Sequence, residues 1–131
     1  MDIREKILNA SDIKEELEEI EEWGVTVLLR GLTGKERARL LNESAKVDGS
    51  VNLEKMYPDL VIMGARDPET KQPIFSPADR EVLNEKAGGV LEHLAQRVME
   101  LSAITKKARD AAEKNSSSTP SEEPTSSSPN A

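Results

Sequence analysis

A mainly helical domain followed by a disordered tail is the fold class this sequence predicts, and three observations carry it. Apolar residues recur at spacings of three and four over two long stretches, the pattern of helices that bury one face. Helix-start signals stand ahead of two helices, with Thr33 three residues before Glu36 and Ser76 three before Asp79. The end of the chain, residues 113–131, is rich in Ser, Pro and Thr and holds nothing more apolar than alanine. Such a segment cannot offset the entropy of ordering itself, so it is expected to be a disordered tail.

The elements follow in chain order. Leu17, Ile20 and Trp23 are three apart among glutamates, which favours a helix. Val25-Thr-Val-Leu-Leu29 is instead a β-branched run typical of a strand, and Gly24 between them is a turn residue. A helix over the first arm and a hairpin of 15–22 with 25–31 therefore compete. Thr33-Gly-Lys-Glu36 is a capping box, and Arg37 to Ala45 behind it reads as a helix with Leu40, Leu41 and Ala45 inward. Asp48-Gly49 marks a turn. Leu53, Met56, Tyr57, Leu60, Val61 and Gly64 form the next stripe, and Pro58 requires either a helix start or a kink there. Residues 67–73 hold two prolines and read as a loop. Ile74 and Phe75 precede the Ser76 cap, where an apolar residue can staple onto the helix. The last stripe runs from Leu83 through Val90, Leu91, Leu94, Val98 and Leu101 to Ile104 and Ala108. Gly88 and Gly89 interrupt it at a cost of about 2 kcal/mol relative to alanine, which predicts a break between a short helix and a long one.

Composition bounds the function. The chain has 131 residues, enough for one domain, and carries 25 acids against 18 bases for a net charge of −7. The acidity sits at the two ends and the middle is nearly neutral. This balance argues against a general nucleic-acid or anionic-membrane binder. No cysteine means no disulfide, thiolate zinc site or thiol chemistry, and a single His93 excludes a histidine-rich metal site. There is no long apolar run and no signal-peptide stretch over residues 1–24, so a soluble intracellular protein is expected. Trp23, Tyr57 and Phe75 are the only aromatics, and the core they permit is small. Either a partner or a second copy supplies further burial, or the domain is a modestly stable monomer.

No constellation of residues supports an enzyme, a cofactor site or a metal site. The glutamates at 15–22 lack the turn glycine and ligand order of a calcium loop and read as a solvated acidic face or a surface for a basic partner. Gly31-Leu-Thr-Gly34-Lys35 has two residues, not four, between its glycines, and Glu36 stands where a phosphate loop needs a hydroxyl. Asp67-x-Glu69-x-Lys71 places a lysine where calcium needs a ligand. His93, Ser44 and Ser102 lack partners for nucleophilic catalysis. Lys106, Lys107, Arg109 and Lys114 lack interleaved aromatics and suit the end of a helix.

The motifs taken in order resemble a family. An acidic arm leads into Glu22-Trp23-Gly24, the run Val25 to Arg30, and Leu32-Thr-Gly-Lys-Glu-Arg37. A helix, Asp67-Pro-Glu-Thr70, Pro73-Ile-Phe75, an acidic cap and a final helix ending Leu101-Ser-Ala-Ile104 follow. This arrangement, over roughly residues 12–106, resembles the tail assembly chaperones of long-tailed bacteriophages and prophages. Each motif is short, and their order and spacing carry the likeness. The resemblance implies a non-enzymatic protein of the host bacterial cytoplasm, absent from the mature virion. It implies binding to the aggregation-prone tape measure protein and recruitment of tail tube subunits, with no nucleic-acid or membrane partner. It also favours the hairpin for the N-terminal arm. The expected fold is thus a mainly α domain over residues 1–112 with an N-terminal β-hairpin, followed by the tail at 113–131. Apolar strips rimmed by charge suit a chaperone, and Trp23, Leu60, Val61, Leu94, Val98 and Leu101 are the expected partner contacts, with self-association as a further use of those strips. Two other classes compete: a small structural tail or connector protein, and an acidic regulator that occupies a basic surface through the 15–22 glutamates.

Overall fold

The computed structural model of the chain describes residues 2–104. The expected tail at 113–131 and the last turns of the expected domain lie outside the described residues. Five helices and a three-stranded antiparallel sheet are described: α1 (Ile3–Leu8), β1 (Glu15–Ile20), β2 (Val25–Arg30), α2 (Gly34–Ser44), α3 (Leu53–Gly64), β3 (Ala65–Arg66), α4 (Arg80–Asn84) and α5 (Gly88–Leu101). A single 3-10 turn, Pro77–Asp79, leads into α4. The mainly helical class with an N-terminal hairpin is what the chain adopts.

The hairpin wins over the helix in the glutamate arm because of what faces it. β1 pairs with β2 in a register that sets Glu16 opposite Leu29, Glu18 opposite Val27 and Ile20 opposite Val25. Gly24, at φ +67°, closes the turn in the left-handed region that glycine enters freely. Ile20, Val27 and Leu29 enter the core. Glu16 and Glu18, on the same face, reach Arg97 and His93 on α5. Two residues along a strand cover roughly 7 Å and four along a helix roughly 6 Å, so the two pairs fall into step. A helix over 15–23 would instead crowd Glu15, Glu18, Glu19 and Glu22, three and four apart, onto one face in water.

α3 and α5 close over one face of this sheet, and α2 and α4 pack on α3. α3 packs along α5 and α2, and α5 also meets β2. Leu29, Leu40, Leu60, Val61, Leu83, Leu94 and Val98 lie within the resulting core. The Thr33 and Glu36 capping box forms as expected and starts α2. Its inward residues are Leu40 and Ser44, whereas Leu41 is 45% exposed and Ala45 also faces solvent. The inward set expected for this helix is therefore corrected to one residue per turn, because the apolar packing of α2 is chiefly against α3.

Pro58 sits inside α3, neither starting nor ending it. Proline has no N–H, so the carbonyl of Glu54 loses its usual helical donor. The Asn84 side-chain amide donates to that carbonyl at 2.9 Å. Buried Asp59, one residue on, accepts from Lys55 Nζ at 3.0 Å and Arg80 Nε at 2.8 Å. These contacts tie α4 and its entry turn to α3. The expected break between a short helix and a long one is present, but it falls at 85–87, and Gly88 and Gly89 are the first two residues of α5.

α5 stops earlier than its apolar period suggests. The expected stripe continues through Ile104, but the helix ends at Leu101. Ala103 turns into the left-handed region at φ 60°, its N–H reaches the Glu100 carbonyl at 3.1 Å, and the Ile104 N–H reaches the Met99 carbonyl at 2.9 Å. This pair of bonds is a Schellman stop. Ile104 is buried by the reversal and not by a further helical turn. The end of α5 then packs on the β2–α2 connection. A Cβ at Gly31 would lie 2.5 Å from the Leu101 carbonyl oxygen, so this approach requires glycine. The Leu32 N–H donates to Ser102 Oγ at 2.8 Å, which in turn donates to the Val98 carbonyl at 2.6 Å.

Candidate partner-binding surface

The expected contact residues divide between core and surface. Leu60, Val61, Leu94 and Val98 are at most 1% exposed. They are enclosed between α3, α5 and the sheet, so the exposed strips expected at 53–64 and 90–104 are corrected: both faces are taken up by the domain itself. Leu101 is half-buried at the Gly31 contact. Trp23 is half-buried at the tip of the hairpin.

Around Trp23 the structure gathers residues from three separate segments. Trp23 from the hairpin turn, Phe75 from the loop before α4, and Val82 and Leu83 from α4 line a pocket of about 150 Å³. Asp79 and Lys86 stand at its edge. Val82 is 57% exposed, and Ile74 beside Phe75 is 42% exposed. Ser76 fixes this approach, because its capping box with Asp79 sets the chain direction into α4. Phe75 had been placed by the sequence as a staple, and it does pack against the core edge. Val82 was not singled out. Its signal was its position one residue off the stripe that begins at Leu83, where an apolar side chain has no place in the core.

A second apolar surface lies on α1. Asp2 and Glu5 form a capping box there, and no residue of the helix is buried. Ile3, Ile7 and Leu8 are all more than 60% exposed. The Asp2–Glu5 spacing was the available sequence signal for this helix.

The electrostatics of the hairpin are partly consumed internally. Glu15 meets Lys71 at 3.5 Å, Glu16 holds the Arg97 guanidinium through two hydrogen bonds, and Glu18 meets His93 Nε2 at 2.9 Å. The hydrogen bonds that Arg97 donates to the Glu16 carboxylate hold its guanidinium protonated beyond its ordinary range. Glu19, Glu21 and Glu22 form no ion pair among the described residues. The remaining acidity is therefore concentrated toward the turn beside Trp23. Among the described residues no group of three or more His, Asp or Glu is arranged to hold a metal. No described helix is long and apolar enough to cross a membrane.

The arrangement of a hairpin laid on a helical layer has a counterpart among solved structures. The chain superimposes on the tail assembly chaperone of bacteriophage HK97 with a TM-score of 0.56 at 28% sequence identity, a match covering 75% of this chain and 91% of that one. The resemblance read from the order of the motifs is thus borne out, and the chain is homologous to a phage tail assembly chaperone. No protein-family model matches the sequence, and no curated protein does.

Proposed function

We propose that this protein binds the tape measure protein in the host bacterial cytoplasm, keeps it soluble, and helps recruit tail tube subunits to it, without entering the mature virion. The homology to the HK97 chaperone, over nearly the whole of that chain, is the observation that carries this reading. The surface supports it. The domain completes its own core and still presents apolar side chains at Trp23, Phe75 and Val82 and along α1, each set beside charged residues. Exposed apolar groups with a charged rim engage apolar segments of a partner while the complex stays in solution. An acidic regulator of a basic surface fits less well, since three of the hairpin carboxylates are already paired within the domain.

Co-expression with the tape measure protein encoded nearby, followed by size exclusion of the soluble fraction, tests the proposal. The expected result is a soluble tape measure protein that elutes with this chain in one large complex. A tape measure protein that stays insoluble while this chain elutes alone overturns it.

A further inference from the structure

The face of the sheet turned away from α3 and α5 carries charge that the fold does not pair. Val27 and Leu29 of β2 enter the core, so Leu28 and Arg30 point to the other side. Arg66 of β3 lies directly opposite Leu28 and shares that side. Arg66 and Arg30 are therefore diagonal neighbours on adjacent strands, about 7–8 Å apart and within reach of each other's long side chains.

Two guanidinium groups here share one carboxylate. Glu36 takes both Nη atoms of Arg30, at 2.8 and 2.6 Å, and the same Nη1 reaches the Gly31 carbonyl at 3.0 Å. Arg66 forms no ion pair among the described residues, and its Nη1 donates to the Lys71 carbonyl at a long 3.4 Å. Glu15, the cross-strand neighbour of Arg30, is taken by Lys71 Nζ at 3.5 Å. Glu19 shares the face but stands two strands over and two residues along from Arg66, about 12 Å away and beyond a Debye length of about 8 Å. The Nε of Arg30 and the Nε of Arg66 are both buried with no hydrogen-bond partner among the described residues. Buried donors are ordinarily paired, so two orphaned guanidinium donors side by side point to a missing acceptor. Burial and the Arg30 charge push the Arg66 guanidinium below its ordinary range, and Glu36 only partly restores it.

We infer that Arg30 and Arg66 form a binding site for one carboxylate besides Glu36. Two guanidinium charges against one carboxylate leave a single positive charge. One further carboxylate cancels it, and the guanidinium fork matches its two oxygens. A phosphate dianion would instead leave an excess negative charge on a chain whose net charge is already −7. The carboxylate has two sources. One is an acidic side chain of a partner protein. The other is Glu122 and Glu123 of this chain, which follow α5 in sequence, and the end of α5 packs on Gly31 beside Arg30. The inference stands on this face of the sheet alone and does not depend on the proposed function.

The test uses the isotope-labelled full chain and reads the Nε–H signals of its arginines by NMR. Arg66→Lys keeps the charge and removes the Nε–H, which identifies the Arg66 signal. Sodium acetate is expected to shift the Arg66 and Arg30 signals along a saturating curve. Sodium chloride at equal ionic strength is expected to leave them in place, and inorganic phosphate to act more weakly than acetate. The signal of Arg4, on the exposed α1, is expected to stay still in all three. Equal shifts in acetate and chloride, or a larger shift in phosphate, overturn the inference. Arg66→Met separates a binding role from a structural one. It is expected to abolish the acetate response at Arg30 and to leave the urea midpoint unchanged or raised, since it removes an unpaired, half-buried charge. A lowered midpoint with the Arg30 response retained overturns the inference as well. Glu122→Gln together with Glu123→Gln distinguishes the sources. An Arg66 signal displaced before any acetate is added supports the site and assigns the carboxylate to the chain itself. An undisplaced signal with the acetate response kept supports the site and assigns the carboxylate to a partner.

Discussion

Single residues decide where this chain reverses direction. Ala103 is the clearest case, since a left-handed backbone costs an alanine roughly 1–2 kcal/mol that a glycine does not incur. Glycine gives back part of that through its freer unfolded chain. Ala103→Gly is therefore expected to stabilise the domain by about 0.5–1 kcal/mol, read as a higher urea midpoint with an unchanged denaturant slope. Gly31 is the opposite case. It sits under the Leu101 carbonyl with no room for a Cβ, and the atom it would strike is backbone. Gly31→Ala must push the end of α5 away from β2 and disturb the Leu32–Ser102 hydrogen bond. A loss of about 1–3 kcal/mol is expected in the same denaturation experiment, as for other overpacked sites.

Elements were legible in the sequence wherever their signal was local. The Thr33–Glu36 and Ser76–Asp79 capping boxes each depend on residues within one turn and are found where expected, and the break between the short and the long helix falls just ahead of Gly88-Gly89. The end of α5 was not legible, because its stop is an alanine in a conformation usually marked by glycine. The apolar pocket at the hairpin tip was legible only at Trp23. Phe75 and Val82 join it from segments more than fifty residues away, and no period or motif links them. The start of α2 also carries a pH dependence. Glu36 accepts from the Thr33 N–H at 3.0 Å and takes both ends of the Arg30 guanidinium, at 2.8 and 2.6 Å. Burial pushes the Glu36 carboxyl up, but the Arg30 hydrogen bonds, the Thr33 N–H and the Arg30 charge together hold it below its ordinary 4.5. A carboxyl depressed in the folded state adds stability above its unfolded pKa and loses it as pH falls through the folded value. The stability contributed by this cap is thus complete at neutral pH and fades below about 4.5. Glu36→Gln is expected to flatten that acid limb of the stability curve, measured by urea denaturation between pH 3 and 7. An unchanged limb would place the acid sensitivity at other carboxylates.

At the scale of the molecule, the question is which apolar residues belong to the fold and which to the partner. Hydrophobic period shows which residues share a helix face, but not what covers that face. In α3 and α5 the cover is the domain itself, and four of the six side chains expected at the interface lie inside it. Leu94, at 1% exposure, separates the two cases. Replacing it with Glu forfeits the 2–5 kcal/mol typical of a deleted core leucine, and it buries a carboxylate that has no partner. Together these approach the roughly 5–15 kcal/mol that holds an ordinary domain folded. Leu94→Glu is therefore expected to lose helical circular dichroism and tape measure binding together. Val82→Glu, on the exposed side of α4, is expected to lose binding and keep the fold. If Leu94→Glu kept its circular dichroism and lost only binding, α5 would have to swing outward to expose that face to the partner. The core of this structure would then describe only the unbound state, and the contact surface would have to include α5.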